Sequence, residues 1–276
     1  MKVIVTGAAG YIGRYVVKEL LSTGGVDVTA VDLHFQEVNK GAKILETNIF
    51  SGDKKVFEEL GSPDLCIHMA WKDGFIHNST THMENLSNHF IFLKNMIDRG
   101  CKRIAVMGSM HEVGYWEGAI TADTPCRPLS QYGISKNALR EAVLQYAKDK
   151  NTNIYWLRGF YVMGDDLKNC SIFTKILQAE KEGKETFPFT TGKNKYDFID
   201  IKDLAAQIVA ASTQDDYTGI INVCTGKPIS LKDKVELFIQ ENHLKIKLDY
   251  GAFPDRVYDS PIIYGDNTII KYIMNN

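Results

Sequence analysis

The chain has 276 residues, 44% of them hydrophobic and 24% charged, which is ordinary for a protein that buries a sizeable core. A formal net charge of -2, with lysines and glutamates spread along the chain, gives no support to a nucleic-acid or membrane-surface role. No apolar run reaches the roughly 18 residues of a membrane helix, and the five cysteines (Cys66, Cys101, Cys126, Cys170 and Cys224) show neither a Cys-x-x-Cys pair nor a zinc spacing. The expectation is a cytoplasmic protein with free thiols and no metal site.

The residues Met1-Lys2-Val3-Ile4-Val5 already form a strand, predicted over Lys2–Thr6, which leaves no room for a targeting segment. It runs straight into Thr6-Gly7-Ala8-Ala9-Gly10-Tyr11-Ile12-Gly13, which opens a helix over Gly10–Leu21. In that context the glycines have separate tasks. Gly7 permits a tight turn, Gly10 lets the backbone approach a dinucleotide pyrophosphate, and Gly13 allows close helix–strand packing. The free N–H groups of the helix start then face the phosphates. A second strand, Asp27–Asp32, ends roughly 20 residues later in a carboxylate placed to accept from the adenosine ribose hydroxyls. A 2′-phosphate would meet that negative charge, and no Arg or Lys follows until Lys40. Asp32 thus favours NAD, with NADP as the second possibility.

Further along, helices are predicted at Lys54–Leu60, Met83–Asp98 and Gln131–Lys150, and strands at Leu65–Met69, Arg103–Gly108 and Ile154–Arg158. The alternation predicts an α/β protein, a doubly wound parallel sheet of Rossmann type covered on both faces. Beyond about Gly159 the pattern changes. Ser171–Gly183 reads as a helix, Lys184–Lys195 as irregular, and Leu231–Asn242 as a helix with Ser230 as its N-cap. We expect a dinucleotide-binding domain from 1–165 with 196–226, and a small substrate-binding lobe from 166–195 with 227–276.

Tyr132-Gly133-Ile134-Ser135-Lys136 puts a phenol and an ammonium one helical turn apart on one face, where the ammonium is expected to lower the phenol's pKa. Ser109 follows the strand Arg103–Gly108, at the carboxyl edge where open α/β sheets bind ligands. Asn85 lies on the helix after the preceding strand. Together Ser109, Tyr132, Lys136 and Asn85 would form a tetrad for hydride chemistry on an alcohol or ketone. Tyr132 would move the proton, Ser109 would hold the substrate oxygen, and Lys136 would stabilise the tyrosinate and touch the nicotinamide ribose. Trp71, Tyr115, Trp116 and Phe160 are candidates for lining a sugar pocket, with ordinary packing as the alternative.

On these residues the chain resembles the extended short-chain dehydrogenase/reductase family, in its nucleotide-sugar epimerase/dehydratase group. Further matches run along nearly the whole chain. Asn48-Ile49 stands where the family has Asp-Ile or Asp-Leu beside the adenine, and His68-Met69-Ala70 matches the motif after the fourth strand. Arg158–Gly164, Asp197–Asp203 and Asn222–Gly226 match later motifs, and Arg256 with Asp259 resembles the pair that grips a nucleotide diphosphate. The resemblance implies cofactor contacts at Met69, Ala70 and Trp71 beside those of the glycine loop. It implies substrate contacts at Trp71, Ser109, Met110, His111, Arg158, Arg256 and Asp259. It also implies a homodimer through the helices at 83–98 and 131–150.

Three departures from the family bear on the reaction. Met110 and His111 stand where the 4,6-dehydratases carry the Asp-Glu pair that drives loss of water, so elimination lacks its acid and base. Val113-Gly114-Tyr115 replaces Val-Tyr-Gly, and the run Gly108–Trp116 resembles bacterial enzymes that reduce dTDP-4-keto-6-deoxy sugars for surface polysaccharide. His111 then occupies the position of an acid/base cysteine in GDP-fucose synthase, or is a loop histidine without chemistry. Finally, Tyr196 replaces an arginine that meets a phosphate, leaving Lys193 or Lys195 as point charges. The reading is an NAD(P)-dependent reductase of a sugar 4-ketone. Its alternatives are a 4-epimerase that keeps its NAD and a non-catalytic dinucleotide sensor.

Overall fold

A computed structural model describes residues 1–35, 41–164, 171–255 and 259–276. Arg256 and Cys170 lie outside the described residues. Seven parallel strands build the main sheet in the order Gly219–Val223, Asn153–Gly159, Arg103–Ser109, Leu65–His68, Lys2–Thr6, Asp27–Asp32, Lys43–Glu46. Alternation along each strand sorts its side chains into two cores. Val3, Val5, Ala105, Tyr155 and Leu157 pack on one face with Val16, Val17 and Leu20 of the helix Gly13–Thr23 and Leu204 and Ile208 of Ile201–Thr213. Ile4, Ile104, Val106, Ile154 and Trp156 pack on the other with Leu93 and Met96 of Leu86–Asp98 and Leu139 and Val143 of Gln131–Ala147. The fold is therefore the expected Rossmann-type α/β sheet.

The strand order reverses between Lys2–Thr6 and Leu65–His68, which run parallel, and a ligand crevice belongs at the carboxyl ends there. The two sheet edges escape the sequence reading. Lys43–Glu46 is a four-residue strand with charged ends, and Gly219–Val223 opens on a glycine. The expected helix Met83–Asp98 is two, Thr81–Glu84 and Leu86–Asp98. The break falls at Asn85, whose Nδ2 donates to the Thr81 carbonyl at 2.9 Å, the acceptor its own backbone N–H also uses.

The second half forms a smaller mixed sheet, Pro228–Ser230, Lys195–Asp200, Ile262–Gly265 and Gly118–Ile120, with Tyr161–Met163 also paired to Lys195–Asp200. Helices Ile172–Lys181 and Leu231–Glu241 stand close to their expected bounds, and Ser230 does cap the latter, accepting from Asp233 N–H at 3.0 Å. Lys184–Lys195 is not wholly irregular. Thr186–Phe189 pairs in parallel with Lys247–Tyr250, a strand hidden from pattern reading by Pro188, which fits only an edge. Asp197 ties the smaller sheet to the end of the main-sheet strand Gly219–Val223. Its buried carboxylate accepts from the N–H groups of Thr225, Gly226 and Gly265. Among the described residues no helix is long and apolar enough to cross a membrane.

Candidate active site

The glycine loop leaves the strand Lys2–Thr6 at the point of reversal. Gly7 has φ +67, and a Cβ there would stand 2.5 Å from the Ala70 backbone nitrogen, so only glycine lets Met69 and Ala70 press against the loop. A Cβ on Gly13 would lie 2.1 Å from the Gly7 carbonyl oxygen, whereas one on Gly10 would meet only that oxygen, at 3.1 Å. Gly10 is thus crowded only by the loop's own carbonyl, and Tyr11 and Ile12 lead into the helix at Gly13. Asp32 sits opposite. Its carboxylate accepts from Ala9 N–H at 2.9 Å and Leu33 N–H at 2.8 Å, fixing the loop and keeping lone pairs for a further donor. Asn48 is exposed at the next strand end, its Oδ1 accepting from Phe50 N–H, while Ile49 is buried in the core. These groups fit a dinucleotide: a closed turn, a helix start and one carboxylate at the sheet's crevice.

Ser109, Tyr132 and Lys136 converge at the carboxyl ends of the neighbouring strands. Ser109 caps a 3-10 turn at Met110–Glu112. Ser130 caps the helix Gln131–Ala147, and Gly133 lets that helix approach the turn, since a Cβ there would fall 2.2 Å from the His111 carbonyl oxygen. The Ser109 hydroxyl lies close enough to the Tyr132 phenol to favour its ionised form. Lys136 donates to the Met107 carbonyl at 2.7 Å, and its Nζ lies 5.9 Å from the Tyr132 ring centroid.

The electrostatics differ from expectation. Burial pushes the Tyr132 phenol up to about 12, Ser109 working against it and Glu112 with it. Burial pushes Lys136 down to about 7, opposed by Glu112. The phenol is thus raised, not lowered, because desolvation outweighs an ammonium that is directed to Met107 and Trp71.

Other expected contacts are absorbed into the structure. Asn85 is taken up by Thr81 and by Asn88, whose Nδ2 donates to its Oδ1, and is not joined to the other three. Met110 is buried in the core of the smaller sheet. Arg158 is fully buried. Its Nε lies 3.5 Å from the buried Glu112 carboxylate and its Nη1 donates to the Thr121 carbonyl. Glu112 also accepts from Trp156 Nε1 at 2.9 Å and from Ser109 N–H at 2.6 Å. Arg158 therefore supports the serine turn from below and does not face a ligand. Tyr196 is likewise buried in the smaller core, and Asp259 is half-buried.

Sequence reasoning missed His77, His82 and His89. His77 stacks on Tyr132 (5.5 Å, 12°) and meets His111 at 4.3 Å, while its carbonyl accepts from Tyr132 N–H. His111 is held neutral, burial pushing it down to about 3. His68 bonds to Thr6 at 2.8 Å and to His89 at 2.9 Å. Trp71 donates to His82 and stacks on His89. A count of seven histidines, five of them between positions 68 and 111, was the available signal. Among the described residues no cluster is arranged to hold a metal ion.

Comparison with known proteins agrees with this geometry. The model of the NAD dependent epimerase/dehydratase family matches residues 3–224. The chain belongs to that family. It is 46% identical over 271 residues to a protein of Aggregatibacter actinomycetemcomitans named dTDP-6-deoxy-L-talose 4-dehydrogenase (NAD(+)), covering 96% of this chain and 99% of the relative. Among solved structures it is similar to MoeE5 in complex with UDP-glucuronic acid and NAD, at 23% identity and a TM-score of 0.84, covering 100% of this chain and 93% of the other. The UDP-glucose 4-epimerase of Thermotoga maritima, solved with UDP-glucose, superposes with a TM-score of 0.83 at 21% identity, covering 99% and 92%. These two likenesses establish the shared fold.

Proposed function

We propose that this protein is an NAD-dependent oxidoreductase acting at C4 of a dTDP-linked 6-deoxy sugar, interconverting a 4-hydroxyl such as that of dTDP-6-deoxy-L-talose with the 4-ketone. The observation that carries this is the end-to-end likeness to the 4-dehydrogenase in a chain that keeps Ser109, Tyr132 and Lys136 together beside the glycine loop. When bound, NAD accepts or returns the hydride at C4. Gly7, Gly10, Tyr11, Ile12, Gly13 and Asp32 would hold it, with Asn48, Ile49, Met69 and Ala70 along the neighbouring strand ends.

Ser109 orients the C4 oxygen, and Tyr132 exchanges the proton with it. A phenol pushed up to about 12 keeps its proton at neutral pH. That is the form that protonates a developing alkoxide in ketone reduction. Oxidation of the alcohol needs the tyrosinate, which Lys136 supports with its charge. His111 and His77, beside Tyr132, border the space for the sugar. Missing carboxylates at Met110 and His111 argue against elimination.

The test is NADH absorbance with dTDP-6-deoxy-L-talose and NAD, and with the 4-ketone and NADH. A rise in the first and a fall in the second are expected. Interconversion of C4 epimers without net cofactor change would overturn the reading in favour of an epimerase. Cofactor binding by calorimetry without turnover of either sugar would overturn it in favour of a sensor.

We also propose a homodimer through Leu86–Asp98 and Gln131–Ala147. Their inner residues Leu93, Met96, Leu139 and Val143 are buried on the chain's own sheet. Ile91 and Ile134 stay 51% and 39% exposed, and Met83 beside them is exposed too. Light scattering at micromolar concentration should give twice the chain mass. A cytoplasmic location goes with this reading and with the free thiols of Cys66, Cys101, Cys126 and Cys224.

A further inference from the structure

Lys136 carries its charge into a nearly closed site. It is 3% exposed, and its ammonium donates to one carbonyl, that of Met107. Glu112 acts on it only through space. What stands against the ammonium is Trp71, whose indole centroid lies 3.6 Å from Nζ. That is well inside the range of about 6 Å over which a ring face attracts a cation.

The indole is itself fixed. Its Nε1–H donates to His82 Nδ1 at 3.1 Å. With Nδ1 accepting, the imidazole proton belongs on Nε2, which donates to the Ile76 carbonyl at 3.0 Å. The His89 ring stacks on the indole at 4.3 Å and 19°. The ionisable groups around Lys136 are Tyr132 on its own helix, Glu112 on the 3-10 turn, His68 on its strand and His89 on the facing helix. Both imidazoles are held neutral by burial, so neither repels the ammonium with a full charge. Asn85, the expected fourth member of the tetrad, is turned back to Thr81.

We propose that Trp71, locked by His82, is a positioning residue for Lys136, its indole face holding the ammonium beside Tyr132. This rests on the reading of Lys136 as part of the catalytic set. It differs from a ligand contact at Trp71, because the indole acts through the lysine.

The variants are W71F, W71L, H82Q and K136M. In steady-state kinetics on the holoenzyme, W71L should lower kcat about 30-fold, the loss of a desolvated cation–π contact. The sugar KM should change less than twofold, and the alkaline limb of kcat should move to lower pH as the ammonium loses its partner. W71F keeps a ring face and should recover most of the loss. A second readout needs neither cofactor nor turnover. A double-mutant cycle of W71L and K136M on urea unfolding should give a coupling of about tenfold in the unfolding equilibrium constant.

Should W71L fail to fold, H82Q takes its place. It frees the indole edge, and kcat should fall about fivefold with the alkaline limb moving the same way. Unchanged kcat with a raised KM would overturn the proposal and make Trp71 a ligand contact. Absence of coupling in the cycle would overturn it too. K136M at wild-type turnover would instead overturn the reading of Lys136, an outcome visible without any Trp71 variant.

Discussion

Acid should weaken this fold through its buried imidazoles before any carboxylate titrates. His89 is 3% exposed, bonded to His68 and stacked on Trp71. Burial, with the Lys136 charge adding to it, pushes His89 from 6.5 down to about 3. The folded state therefore refuses a proton that the unfolded chain accepts below its ordinary value. The stability contributed by neutral His89 is fully present above 6.5 and is lost as pH falls toward 3. Its loss relative to high pH is RT ln(1 + 10^(pKa − pH)) with the unfolded pKa, about 0.2 kcal/mol at pH 7.0 and about 1.4 at pH 5.5. The cost of that step is about 1.3 kcal/mol for His89, whatever the folded value, provided it lies well below 5.5. His68 is pushed down by the same cause and acts in the same direction. Urea unfolding followed by tryptophan fluorescence at the two pH values reads the drop directly. In His89→Asn the drop should shrink by about 1.3 kcal/mol, even if the variant is less stable at both. Equal drops in the two proteins would refute the reasoning, since His89 would then take its proton while folded.

Tyr132→Phe should reduce kcat by about 10²–10⁴-fold, the usual worth of a positioned acid or base, with little change in sugar KM. Alcohol oxidation should speed up from pH 6.5 toward the point where Lys136 loses its proton. That point lies near 7 in the free protein, so a flat profile across this window would contradict the assigned proton path. Arg158→Met leaves the Glu112 carboxylate buried without its counter-charge, and should cost about 3–5 kcal/mol in urea unfolding. Gly7→Ala forces a Cβ into the Ala70 backbone and should abolish NAD binding by calorimetry, and turnover with it.

Much of the scaffold was legible because it is local. Strands such as Arg103–Ser109 are apolar runs between turns, and the glycines of the loop declare positions where a Cβ is forbidden. Tyr132 and Lys136 are one helical turn apart in any register. The parts that were misread depend on distant partners. Arg158 reads as a cation at a strand end until Glu112 is seen beside it, and Met110 reads as a wall of the site until the smaller core surrounds it. The split at Asn85 falls where its side chain and its backbone N–H share the Thr81 carbonyl.

The sequence by itself determined the sheet, the glycine loop and the pairing of Tyr132 with Lys136, because spacing along one strand or one helix suffices for each. Only the tertiary structure decided the state of that tyrosine and the partners of its lysine. Burial energies and cation–π contacts depend on what the chain folds over Tyr132 and Lys136. His77, His82, His89 and Trp71 arrive there from a separate loop and helix, and no spacing in the sequence encodes that meeting.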